Sequence, residues 1–160
     1  MEKTNIGIKP EYLADVAHSL NILLADEHIL YVKTRNAHWN VEGPDFHAMH
    51  LFFEAQYREL EKVIDEIAER IRSIGHFAVA SLKQYLELTR LTERPWEKNN
   101  SEGFIRTLLE DHETIIMHLR DGVTRYAEEW QDVGTSDFIT GYLEKHEKMA
   151  RMLSAHLTKP

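Results

Sequence analysis

The sequence predicts an all-α fold: a four-helix bundle with one long crossover connection that carries a short helix of its own. Three observations lead there. Apolar residues recur at helical spacing through most of the chain, and no alternating pattern of a half-buried strand competes with them. Three of the patterned stretches are long, about 27 residues or ~40 Å at the helical rise, and a fourth is somewhat shorter. Two connections are short, which favours antiparallel neighbours, while the one between Gly75 and Lys98 can travel back along the bundle.

The first helix follows Pro10, a residue favoured in a first helical turn. Leu13, Val16, Ala17, Leu20, Leu23, Leu24 and Leu30 form its apolar stripe, which reaches about Ala37. Gly43-Pro44 breaks the pattern, and Pro44 can open the second helix. That helix carries Phe46, Phe53, Tyr57, Leu60, Ile64, Ile67 and Ile71, with Gly75 as its C-terminal cap. The crossover contains a short amphipathic run from Val79 to Leu86. A third long helix starts near Asn99-Asn100-Ser101, all good N-cap residues. Gly134-Thr135-Ser136 is read as the break before the fourth, which uses Phe138, Tyr142, Leu143, Met149, Leu153 and Leu157.

Composition narrows the function classes. The 160 residues fit one domain, 1–160, and the 42% hydrophobic and 29% charged content is that of an ordinary globular protein. No apolar run approaches the ~20 residues of a membrane span, and the start lacks a secretory signal, so a cytoplasmic location is expected. With no cysteine, disulfides, thiolate metal sites and cysteine nucleophiles are excluded. The net charge of −8 argues against generic nucleic-acid affinity, which comes from basic residues meeting phosphates. It suits a protein that attracts cations.

The chemistry concentrates in two blocks. His38-Trp39-Asn40-Val41-Glu42-Gly43-Pro44-Asp45-Phe46-His47 leads to His50, with Glu54 one turn later. Asp65 and Glu69 then lie one turn apart, so both carboxylates share a side of the helix. Imidazole and carboxylate together suit iron, zinc or manganese. Yet fifteen positions separate His50 from Asp65, about 22 Å at ~1.5 Å per residue, against metal–ligand bonds of ~2.0–2.2 Å. If they share an ion, a second copy of the helix must lie antiparallel and bring its Asp65 to this His50.

A solvated face is the ordinary reading of an acidic pair, but Ile64, Ile67, Ala68 and Ile71 surround this one, so it borders an apolar stripe. His18, His28, His76, His112, His118, His146 and His156 are read as structural. The ligand set of an iron pair inside a bundle includes Glu-x-x-His motifs, and this sequence contains none, nor a His-Glu-x-x-His zinc motif.

The run Thr34 to Val41 with Gly43-Pro44 and Phe46-His47, then Phe53-Glu54 and Asp65-Glu66-Ile67-Ala68-Glu69-Arg70-Ile71, resembles the Dps family, the bacterial mini-ferritins. The similarity extends over all four helices, the crossover and Gly134-Thr135-Ser136-Asp137. It implies a ferritin-like bundle that assembles into a twelve-subunit hollow shell. It also implies a ferroxidase that oxidises ferrous iron, preferably with hydrogen peroxide, and stores ferric oxide inside, protecting the cell from oxidative damage. Its metal centres lie at two-fold dimer interfaces. His38 and His50 match the ligands from one chain, Asp65 and Glu69 those from the other, and Glu54 an acidic residue beside the site. Zinc is a second metal for the same ligands. Trp39 resembles a tryptophan next to the centre, where an oxidisable ring can intercept electron holes. Asp137, with Asp132 and Glu128 nearby, falls where the family lines its three-fold pores with carboxylates.

Many members bind DNA through lysine-rich tails. This chain offers only Lys3 and Lys9 before Tyr12, offset by Glu2 and Glu11, and Lys159 at the other end. DNA binding is therefore expected to be weak or absent. A nucleoid protein that coats DNA and binds iron secondarily is the alternative, and a metal-free helical interaction module is a third reading.

Overall fold

The computed structural model describes residues 5–93 and 98–157. Lys3 and Lys159, the outer members of the tail lysines, lie outside the described residues. Five helices appear in the order α1 (Pro10–Asn40), α2 (Phe46–Ser73), α3 (Leu82–Leu88), α4 (Ser101–Glu128) and α5 (Val133–Ala155), with no strand among the described residues. This is the all-α bundle with a short crossover helix that the periodicity predicts.

Each boundary has a local cause. Pro10 occupies the first turn of α1, where its missing N–H breaks no helical bond. After α1, Gly43 at φ +127° lets the chain turn, and α2 begins at Phe46, two residues later than Pro44 suggests. At the far end of α2, Gly75 takes φ +86°. Its N–H reaches Arg72 O, and the N–H of His76 reaches Ile71 O, the paired bonds of a left-handed C-cap. The Asn100 side chain caps α4 by accepting from Gly103 N at 2.9 Å.

The start of α5 corrects the sequence reading. Gly134-Thr135-Ser136 is not a break but the first turn of the helix. Asp132 is the N-cap, its carboxylate accepting from Thr135 N at 2.9 Å. The backbone reverses just earlier, at Gln131 with φ +54°. A cap carboxylate outweighs the weak helix propensity of glycine and threonine here, because it satisfies an otherwise orphan N–H.

Contacts across the helices give their directions. Tyr31 meets Tyr57 and His38 meets His50, so α1 and α2 are antiparallel. Ser136 Oγ donates to Val123 O while His146 meets His112, so α4 and α5 are antiparallel. Tyr126 bonds Ser19 and Lys33 pairs with Asp111, setting α4 antiparallel to α1. Tyr142 donates to Glu66 and Arg70 to Thr135, which does the same for α5 and α2. The diagonal pairs are then parallel, as a crossover between α2 and α4 requires.

The crossover runs along α1 in the same direction. Asn21 bonds Phe77 O and Val79 N, and the Tyr85 ring stacks on His28 at 3.9 Å. Asp26 accepts from Thr89 Oγ1, Arg90 N and Arg90 Nε, and Lys33 donates to Thr92 O. Covered by helices on one side and the crossover on the other, α1 buries the consecutive Asp26 and Glu27 completely. Leu20, Leu24, Phe53, Leu60, Phe104 and Ile115 are among the side chains that fill the core between helices.

Candidate metal centre

His38 ends the buried part of α1 and His50 lies in the second turn of α2, and the tight link between the helices brings them together. Their rings stack with centroids 3.8 Å apart. Each Nδ1 lies 2.8 Å from the other residue's backbone carbonyl oxygen. A carbonyl only accepts, so both Nδ1 atoms carry the proton and donate. In the neutral imidazoles both Nε2 atoms are then lone-pair nitrogens. This is how proteins orient metal-binding imidazoles: the far nitrogen is anchored to an acceptor and the near one left basic. His38 is 8% exposed and His50 partly so, which leaves the pair at a surface rather than in the core.

Aromatic rings wall the pair. Tyr57 stands edge-on to His38 at 5.2 Å, and Phe46 tilts against His50 at 5.3 Å. The Arg35 guanidinium lies 4.4 Å from the Tyr57 ring and 4.7 Å from the Trp39 ring. Trp39 is 63% exposed, so it does not simply pack at a helix end within its own subunit. His47 is exposed beside the site.

Glu54 follows one turn after His50. It accepts from Arg58 Nε at 2.9 Å and Nη2 at 2.5 Å. The Arg58 hydrogen bond holds its carboxyl below the usual range, with the charges of Arg58, His38 and His50 acting the same way. It is thus an anion within electrostatic reach of both imidazoles.

Asp65 and Glu69 are not at this place. Both are exposed, one turn apart, toward the other end of α2. Because α2 is one continuous helix, they cannot approach their own chain's His50. Among the described residues, no three or more metal-binding side chains of a single chain converge to hold an ion. The structure thus brings His38 and His50 together, places Glu54 one turn further along α2 on Arg58, and keeps Asp65 and Glu69 apart from them.

The expected pore residues separate in the same way. Asp137 and Glu128 are exposed near the α4–α5 turn. Asp132 is 2% exposed, and capping α5 and the 3.5 Å ion pair with Arg70 occupy its carboxylate.

Three polar residues meet in the core: His112 and His146, read from the sequence only as structural histidines, and Glu27, which that reading does not single out. Glu27, His112 and His146 are fully buried and hydrogen-bonded to one another. The signal was present: each falls on its helix's apolar stripe, His112 between Leu108 and Ile115, His146 between Leu143 and Met149, and Glu27 between Leu24 and Leu30.

The ferritin-like domain model matches residues 17–160. DNA protection during starvation protein 2 of Bacillus anthracis is 38% identical, over 90% of this chain and 97% of its own length. This chain belongs to the Dps family. A low temperature-induced protein of Nostoc sp. strain PCC 7120 is 41% identical over 98% of the chain and 88% of its own length. The Dps of Vibrio cholerae O1, described as a member of a broad superfamily of ferritin-like diiron-carboxylate proteins, superposes with a TM-score of 0.90. It is 31% identical and covers 99% of both chains. DpsC from Streptomyces coelicolor gives a TM-score of 0.94 at 27% identity, covering 99% of this chain and 92% of its own. The chain is accordingly a mini-ferritin by family and by fold. No helix among its described residues is long and apolar enough to cross a membrane.

Proposed function

We propose that this mini-ferritin is a ferroxidase whose centre is completed by two chains, His38 and His50 from one subunit and Asp65 and Glu69 from its two-fold partner. The observation that carries the reading is the mutual brace of His38 and His50. It fixes two stacked imidazoles through their Nδ1 atoms while the chain's own matching carboxylates sit about 22 Å away along α2. Half a ligand set at each end of one helix is what an antiparallel dimer needs.

Iron is the substrate. The imidazoles would bind ferrous ions without adding charge, and the carboxylates would favour the ferric product. Glu54 supplies further negative charge once Arg58 releases it. Two ferrous ions can each give one electron to hydrogen peroxide, whose O–O bond breaks as two protons convert both oxygens to water. Pairing the electrons avoids releasing hydroxyl radical. Trp39, exposed beside the brace, would face the interface and intercept stray holes. Zinc competes for the same ligands.

Twelve subunits would close a shell that holds the ferric product, with Asp137 and Glu128 drawing cations through its pores. Relatives carry the name DNA protection during starvation protein. For this chain the protection is assigned to removal of iron and peroxide in the bacterial cytoplasm, since its acidic surface opposes coating of DNA. The test is a native mass measurement followed, on the same sample, by anaerobic ferrous loading and peroxide addition. A shell near twelve subunits that oxidises iron with peroxide faster than with oxygen supports the proposal. A monomer, or no oxidation above buffer, refutes it.

A further inference from the structure

Glu27, His146 and His112 form a hydrogen-bonded chain across the bundle core, contributed by α1, α5 and α4 in turn, and all three are 0% exposed. His146 is the middle member: its Nε2 lies 2.8 Å from Glu27 Oε1 and its Nδ1 lies 2.9 Å from His112 Nδ1. The two end atoms, Glu27 Oε2 and His112 Nε2, are buried without a hydrogen-bond partner among the described residues. An apolar trio would avoid two unpaired buried polar atoms, so packing alone does not account for the arrangement.

A shared metal ion does not account for it either. His146 uses its two nitrogens in opposite directions, so the chain is extended and its free atoms lie at opposite ends. No ion can touch both.

Donor and acceptor rules assign the protons. An ionised Glu27 only accepts, so His146 Nε2 must donate to it. His146 Nδ1 is then a lone pair, so His112 Nδ1 donates, and His112 Nε2 is left as a bare basic nitrogen. The chain carries one negative charge at the Glu27 end. Burial, and then the charge of His146, hold His112 well below the ordinary imidazole value, so a net positive charge does not rest there.

We infer that Glu27, His146 and His112 are a one-proton relay and acceptor site, which takes a proton at His112 Nε2 and delivers it to the Glu27–His146 pair. An N–H bond forms at His112 Nε2, the N–H bond at His112 Nδ1 breaks, and a new one forms at His146 Nδ1. His146 and Glu27 Oε1 then share the proton between them. One proton enters, no electron moves, and the net charge of the chain goes from −1 to zero. The transfer runs this way because it moves positive charge from an apolar end into contact with the carboxylate.

Titratable neighbours face the chain from each surrounding helix: His28 of α1, which feels the charge of Glu27, has Nδ1 3.0 Å from Leu24 O and its ring stacked on Tyr85. On α1, Asp26 is held by Arg90 and Lys33 pairs with Asp111 of α4. On α2, Glu66 accepts the hydroxyl of Tyr142 from α5. Burial, that hydrogen bond and the charges of Glu66 and Glu27 all push the Tyr142 phenol upward, so it stays protonated as the chain titrates.

The inference needs no iron, so its test is separate from that of the ferroxidase. Solid-state NMR of the assembled protein with 15N-labelled histidine, from about pH 8 to about pH 5, reads the tautomers directly, His112 being assigned by the loss of its signals in His112→Gln. At the upper pH, His112 should carry its proton on Nδ1. On acidification it should invert to Nε2 without becoming imidazolium. In Glu27→Gln the amide oxygen still accepts from His146 but cannot take the proton. The inversion should disappear, and potentiometric titration should show one proton fewer bound per subunit. A His112 tautomer unchanged across the range in the native protein, protonation of both His112 nitrogens, or inversion retained in Glu27→Gln would each overturn the relay. Should Glu27→Gln fail to assemble, the native tautomer series decides alone.

Discussion

His38 and His50 orient each other through backbone carbonyls, and this residue-scale detail gives the two histidines the fixed orientation that the proposed ligand pair needs. Their proximity across Gly43-Pro44 is readable from spacing. The brace is not, because it depends on ring rotation, on the His38 carbonyl at the end of α1 and on the His50 carbonyl within α2. The buried histidines behave differently. His112 sits among apolar side chains, and burial first, then His146, depresses its basicity. His28, partly buried, is lowered too, again mainly by burial. The sign of the consequence follows from proton counting. With folded values below the unfolded ~6.5, the unfolded chain binds protons that the folded one does not as pH falls under that value. Their stabilising contribution is fully present above ~6.5 and is lost toward lower pH, at up to ~1.4 kcal/mol per pH unit for each missing proton. Even one proton taken by the core relay leaves the unfolded chain ahead. The thermal midpoint should therefore drop between pH 7 and pH 5.5, and an unchanged or rising midpoint would show that burial does not suppress these histidines.

At the scale of elements, four long helices and their order follow from apolar periodicity and connection lengths, since each helix buries one stripe. The start of α5 was harder to read. Gly134, Thr135 and Ser136 look like a loop by propensity, and only the carboxylate of Asp132 turns them into a helical first turn. The same carboxylate pairs with Arg70 of α2. The crossover is another feature that periodicity cannot supply, because polar bonds fasten it. Asp26 is its main anchor: fully buried, it takes three hydrogen bonds from Thr89 and Arg90 and pairs with the guanidinium. Asp26→Ala leaves Arg90 facing a protein interior without its partner. Removing one partner of a buried ion pair costs ~3–5 kcal/mol, and the lower figure applies because Arg90 is a third exposed. Denaturant unfolding at fixed protein concentration should record a loss of about 3 kcal/mol, with cleavage by protease appearing first between Gly75 and Lys98. A loss under about 1 kcal/mol, the worth of an exposed pair, would mean the crossover is held elsewhere.

For the whole molecule, the acidic balance sets what the assembly can approach. Twelve copies at −8 would give a shell on the order of −100 before iron enters, and like charge opposes contact with phosphate. Supercoiled DNA at ~0.15 M salt without divalent cations should migrate unshifted in a gel, and tight retention would mean the terminal lysines outweigh the net charge. The proposed sharing of the metal centre between two chains was legible in the sequence because it rests on one length, the distance along α2, which side-chain detail cannot alter.

That length also sets the most direct test. One variant carries His38→Ala with His50→Ala, and another carries Asp65→Ala with Glu69→Ala. Native mass measurement first establishes that both assemble. Each alone should oxidise ferrous iron slowly, because every centre lacks half its ligands. In a mixed dimer the damage segregates: one centre collects both defects and the other has intact histidines facing intact carboxylates. With unbiased pairing and independent centres, half the dimers are mixed and half their centres are whole, so co-refolding should return about a quarter of the native activity. No gain over either variant alone would contradict a centre shared between chains.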